Sequence, residues 1–141
     1  MAALLATRGG QHLLAAEFTF NFDDTMTPVS GTSFLTVATN VFDIITLPLN
    51  AVVVGGDVVT ETAVTGPTAY NVEIGDSVTD DRYLGTTDRA AAGRTALVPT
   101  GYVGAGESIR ITIIPTVAAA TAGKLTVRVL YTIRDKQDVN N

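Results

Sequence analysis

One residue in three of this chain is β-branched: 22 Thr, 17 Val and 8 Ile together make 47 of its 141 residues. Two heavy atoms on Cβ restrict χ1 against a helical turn and pack well on a pleated surface, so such a chain is biased toward strands along its length. The periodicity agrees. In Glu17-Phe18-Thr19-Phe20-Asn21-Phe22 the three phenylalanines share one face and the polar residues the other, as in a strand buried on one side. Residues 124–134 alternate in the same way. Leu125, Val127, Val129, Tyr131 and Ile133 lie on one side, and Lys124, Thr126, Arg128, Thr132 and Arg134 on the other, with Leu130 the apolar exception. At about 3.3 Å per residue this is a strand of roughly 36 Å.

Further strands follow from the same pattern. Ile109, Ile111 and Ile113 alternate with Arg110 and Thr112 until Pro115, which cannot donate to a ladder and so ends or edges the strand. A loop over 116–123 then joins it to the last strand as a hairpin. Tyr70, Val72 and Ile74 alternate with Asn71 and Glu73 and stop at the turn pair Gly75-Asp76. Over 41–47, Val41, Ile45 and Leu47 fall on one face and Phe42 and Ile44 on the other, so both faces are expected to be covered and Asp43 needs a partner or an exit to solvent. The Val-rich stretch 50–62 holds Gly55-Gly56, either a two-residue hairpin turn, which is preferred, or a bulge in one long strand. Short strands are expected over 34–39 and 97–103, and a helical turn over 87–92, where Asp88 precedes Ala90-Ala91-Ala92 and Gly93. Eight or nine short strands without βαβ alternation read as an all-β, single jelly-roll-like β-sandwich, with an immunoglobulin-like sandwich as the neighbouring possibility.

The organisation is one domain over 17–141 preceded by a short N-terminal arm, 1–16, whose Leu4, Leu5, Leu13 and Leu14 are accompanied by only Arg8 and His12 as polar anchors of any charge. Arg8 follows the apolar run Ala2-Ala3-Leu4-Leu5-Ala6 instead of preceding it, the wrong order for a secretory signal, and no stretch approaches eighteen uninterrupted apolar residues. The expectation is a protein made in the cytoplasm, with no membrane partner.

The inventory of reactive groups is thin. There is no Cys, no Trp and one His, so thiolate chemistry, disulfides and multi-imidazole metal centres are excluded. His12 lies in the arm, which argues against a catalytic triad. A net charge of −5 argues against nucleic acid, whose phosphates need a surplus of Lys and Arg on one face. Gly101-Tyr102-Val103-Gly104-Ala105-Gly106 resembles a phosphate loop only superficially: it precedes a strand and has no Lys. Asp76, Asp80, Asp81 and Asp88 do not have EF-hand spacing, and Arg82 and Arg89 sit among them to pair with the acids, so a loop stapled by ion pairs and Asx-turns is expected and no metal. No catalytic residue and no cofactor is expected.

Asn71-Val72-Glu73-Ile74-Gly75-Asp76-Ser77, then Asp80-Asp81-Arg82-Tyr83-Leu84-Gly85, the stretch Gly101 to Gly106, an Ile-rich strand and the long last strand resemble the small cement or decoration proteins of tailed bacteriophages. The resemblance covers about residues 70–134. It implies a jelly-roll domain that self-associates as a dimer or trimer and binds the major capsid protein on the outside of the head, with no substrate. Charged residues are only 16% of the chain, as suits a surface that other chains cover. The interface candidates are Leu4, Leu5, Leu13 and Leu14 of the arm, with Tyr83 and Tyr102. The alternative is a carbohydrate- or receptor-binding module of a fibre or tail, for which Tyr83 and Tyr102 would be the exposed aromatic contacts.

Overall fold

The structure, a computed structural model, describes residues 12–24, 28–29 and 39–134. Among them run nine strands and no helix: β1 (Leu14–Asn21), β2 (Asn40–Ile45), β3 (Leu49–Thr65), β4 (Ala69–Gly75), β5 (Leu84–Asp88), β6 (Gly93–Ala96), β7 (Val103–Ala105), β8 (Ile109–Thr116) and β9 (Ala122–Ile133). Four antiparallel pairs, β1 with β9, β2 with β8, β3 with β6 and β4 with β5, are those of one long hairpin rolled up on itself. Lateral pairing of β3 with β9 and of β4 with β8 then gives two sheets, β1-β9-β3-β6 and β2-β8-β4-β5. This is a jelly roll, the sandwich that the alternating segments predict. The ninth strand, β7, is additional and pairs with the start of β3.

The alternation places the core. Phe20, Val53, Val58, Leu125, Val127 and Val129 of the first sheet are buried against Phe42, Tyr70, Val72, Ile74, Ile109, Ile111 and Ile113 of the second. Each such side chain withdrawn from water contributes about 1.5–3 kcal/mol, which is what holds two sheets face to face without a disulfide. In β2 a register shift between Asp43 and Ile45 inserts one residue, so Phe42 and Ile45 both turn inward although their numbers differ by three. Asp43 exits to the outer face and pairs with Arg110 at 2.8 Å.

Several local expectations are corrected. Gly55-Gly56 is not a hairpin turn: β3 runs straight through it, with a bulge between Val53 and Gly55. The connection from β8 to β9 is not a hairpin either, because β8 lies in one sheet and β9 in the other, so residues 117–121 cross the end of the sandwich. No strand spans 97–103. Leu97 plugs the core from a loop and the strand is Val103–Ala105. No helical turn forms over 87–92. Asp88 instead ends β5 and accepts the backbone N–H groups of Tyr70 and Ala90, both at 3.0 Å. The strand expected over 34–39 lies, but for Thr39, outside the described residues.

Strand direction gives the sandwich two distinct ends. The start of β1, the end of β9 and the connections after β2, β4 and β6 lie at one end, and the connections after β1, β3, β5 and β8 at the other.

Candidate interaction surface

The outer face of the β1-β9-β3-β6 sheet gathers much of the charge of a charge-poor chain. Asp57 in β3 stands between Arg128 of β9 and Arg94 of β6. Arg128 donates from Nε at 2.8 Å and from a terminal nitrogen at 2.9 Å, and Arg94 from Nε at 2.6 Å. The register produces this directly, since Asp57 is the cross-strand partner of Arg128 and Arg94 lies two residues along β6 from Ala96, the partner of Asp57 there, on the same face. The two arginines are about half exposed, whereas the Asp57 side chain is 8% exposed beneath them. Hydrogen bonding from Arg128, then from Arg94, outweighs the burial that opposes ionisation and holds the Asp57 carboxyl below its ordinary value. A shallow cavity of about 210 Å³ opens beside the trio, lined by Gly56, Asp57, Arg94, Arg128 and Leu130. It exists because Gly55 and Gly56 place no side chains on the sheet.

A second network continues toward the opposite end. Thr126 donates to Glu61 Oε1 at 2.6 Å and meets the Thr19 hydroxyl at 2.8 Å, while Lys124 pairs with Glu61 at 3.2 Å. Thr126 belongs to the outward side of β9, as its number requires, yet it is 3% exposed because Glu61, Thr19 and their neighbours cover it. Outward therefore does not mean solvated here.

At the end near the start of β1, the loops after β4 and β6 are held by a chain of polar contacts. Asp76 Oδ1 accepts the backbone N–H groups of Val78 and Thr79, each at 2.9 Å, which is an Asx-turn, and Arg82 Nε binds Asp76 Oδ2 at 2.6 Å. Burial pushes the Asp76 carboxyl upward, but the Arg82 hydrogen bond and the two backbone donors more than offset it, leaving it below its ordinary value. The Arg82 guanidinium lies over the Tyr102 ring, and the Tyr102 hydroxyl donates to Glu107 at 2.5 Å. The acidic loop is thus stapled as the sequence suggested, by Arg82. Arg89 takes no part: it is buried and donates to the Thr95 hydroxyl and the Ala91 carbonyl instead of to an acid. Among the described residues no three His, Cys, Asp or Glu side chains form a metal-holding group.

The sequence-derived interface residues are scattered. Leu4 and Leu5 lie outside the described residues. Leu13 is 55% exposed, and Leu14 is half-buried at the first position of β1, opposite Tyr131. Strand β1 therefore begins inside the span read as an arm. Tyr83 is a correction: it is 3% exposed, part of the core, and burial pushes its phenol up to about 12. Tyr102 keeps some surface, but one ring face is taken by Arg82 and its hydroxyl by Glu107. The pair is not a free aromatic platform of the kind that a sugar-binding site uses. What the sequence reading missed is the Asp57 trio, whose members are 37 and 71 residues apart; the one available signal was a charge alternating into an otherwise Val-rich strand.

No family model matches the sequence, and no curated protein matches it. Solved structures do. The chain is similar to one in the "Cyanophage Pam1 capsid asymmetric unit", at 18% identity and a TM-score of 0.63 over 94% of this chain and 92% of that one. It is similar to a chain in the "Acidic stable capsid structure of Helicobacter pylori bacteriophage KHP30", at 20% identity and a TM-score of 0.57 over 87% and 89%. A third, from the "Capsid of Ralstonia phage GP4", aligns at 14% identity and a TM-score of 0.57 over 94% and 91%. The chain therefore shares its fold with chains of phage capsids, and each alignment runs nearly end to end in both partners.

Proposed function

We propose that this chain is a structural protein of a phage virion which binds the outside of the head and bridges neighbouring subunits of the shell. The observation that carries the reading is the near end-to-end correspondence with chains of about the same length in three phage capsids. A resemblance limited to a common sandwich core would leave long unmatched segments in one partner or the other. The chemistry of the surface supports it. Asp57, Glu61, Asp76 and Glu107 are each bonded to neighbours within the fold, so these polar groups hold strands and loops together. Free energy in such a protein comes from surface buried against its neighbours at about 25 cal/mol per Å², and repetition over a lattice multiplies modest single contacts.

The partners of this reading are the major capsid protein and further copies of the chain, with the apolar segment that holds Leu4 and Leu5 reaching onto another chain. The test is direct. Purified protein is mixed with heads assembled without it and sedimented. The reading expects saturable co-sedimentation at a fixed ratio to the shell subunit and without added cofactor. Protein that stays in the supernatant at every concentration, while binding saturably to a glycan array, overturns it in favour of a receptor-binding role.

A further inference from the structure

The outer face of the β1-β9-β3-β6 sheet is divided in two, and the division points to its occupant. Toward the β1–β2 end it carries the charged networks described above. Toward the other end it is mainly apolar, with Thr132 of β9 opposite Val52. Leu130, the one residue that breaks the alternation of the last strand, projects outward and lies across Gly55, 3.7 Å from where a Cβ on that glycine would stand. Val54, the residue that the bulge adds to β3, is 43% exposed, and Val52 lies on the same outward side because its neighbours Ala51 and Val53 are buried. Across β9, Ala15 is the partner of Leu130, and Leu13 precedes it by two residues. Four apolar side chains on three adjacent strands, with Leu13 just before β1, thus form one patch, bordered by the Asp57 trio through the cavity that Leu130 shares with it. An apolar patch flanked by internally paired charges has the mixed composition of a protein–protein interface.

We propose that this face is where a second copy of the chain docks. Charge selects that occupant. The whole chain carries a net −5, so two copies repel wherever their acidic surfaces meet. On this face Glu17, Asp57 and Glu61 meet Arg94, Lys124, Arg128 and, just past the end of β9, Arg134, so it carries no excess of acid. The surplus acid lies elsewhere, including Asp23, Asp24, Asp80 and Asp81. Two identical acidic chains can therefore bring this face together without the repulsion that other approaches incur. The bulge turns Val54 outward, and Gly55 beside it leaves room for Leu130 to lie flat. The proposal stands on the chain's own surface and does not depend on the capsid reading.

The experiment is the mass of the full-length protein by sedimentation velocity, for the wild type, Leu130→Glu, Val54→Glu and the double variant Leu4→Glu/Leu5→Glu, each with circular dichroism to confirm folding. The wild type is expected to sediment as an oligomer, with both face variants shifted to monomer and the Leu4/Leu5 variant unshifted. If Leu130→Glu fails to fold, Val54→Glu, at an exposed bulge position, decides alone. A monomeric wild type overturns the proposal, as do face variants that keep the wild-type mass. Conversion to monomer by the Leu4/Leu5 variant alone assigns self-association to the N-terminal segment and overturns it too. Head binding, read separately by co-sedimentation, can fail or succeed independently of this outcome.

Discussion

The guanidinium carbon of Arg82 stands 3.6 Å from the centre of the Tyr102 ring, while Arg82 Nε holds Asp76 at 2.6 Å. One side chain therefore ties the loop after β4 to the loop after β6. Both partners of the ion pair are largely buried, so removing one leaves the other without compensation. Arg82→Met is expected to cost about 3 kcal/mol, read as a lowered denaturation midpoint at unchanged slope. Tyr102→Phe, which loses only the hydroxyl contact to Glu107, should cost well under half as much.

The same carboxylates set the response to acid. Asp57 and Asp76 both titrate lower in the folded chain than their ordinary value of 3.8. Each therefore adds stability at pH above that value, and the contribution is lost as pH falls through the folded-state value. Thermal unfolding followed from pH 7 down to pH 2 should show a midpoint that is nearly level until about pH 4 and falls below it. Asp76→Asn should unfold at a lower temperature at pH 7 and approach the wild type at low pH. A constant gap between the two proteins would contradict the assignment.

Val129 and Thr126 test the register of β9. Val129 is fully buried between the sheets, so Val129→Asp should cost about 4 kcal/mol or more. Thr126→Asp, on the outward side, is not benign: it removes the donor to Glu61 and sets a second carboxylate beside it, for about 2 kcal/mol. Thr132→Asp, on the same outward side but half-buried and away from Glu61, should be mild. Chemical denaturation of the three variants checks the order.

Gly56 tests the close pairing of β3 and β9 just past the bulge. Its φ is +135°, and a Cβ there would stand 2.2 Å from the Arg128 carbonyl oxygen of the neighbouring strand. Gly56→Ala must therefore push β3 and β9 apart where they pair, and is expected to cost about 2–3 kcal/mol. Gly85→Ala, with open space around it, should be close to neutral.

How far the sequence led is visible in these residues. The inward sets Phe20, Val72, Ile74, Ile111, Val127 and Val129 were legible because each strand keeps one face in the core and the side-chain period of two survives into the sequence. Gly55-Gly56 was misread because a Gly-Gly dipeptide serves a hairpin turn and a bulge equally, and the choice is made by Leu130 of β9, which lies on Gly55. The connection 117–121 was misread because a short loop can join strands of one sheet or of two, and which it does depends on β2 and β4 already flanking β8. The direction of Tyr83 is not legible in the sequence, because a lone Tyr in a polar loop carries no sign of which way it points; its N–H bond to the Ile74 carbonyl, at 2.9 Å, helps hold that loop against the core. The Asp57 trio rests wholly on strand order, which alternation does not encode.

The central claim is that the chain reinforces a phage head by burying surface on it. Its most direct test is the rupture temperature of heads assembled without the chain, measured by the release of packaged DNA to an intercalating dye, before and after saturation with purified protein at low and at moderate salt. The account predicts that such heads form, open at a lower temperature than complete ones, and regain the full value on addition of the protein alone. Because charged residues are only 16% of the chain, raising the salt should screen few contacts and weaken rebinding by much less than tenfold. An unchanged rupture temperature at saturating bound protein would contradict the account.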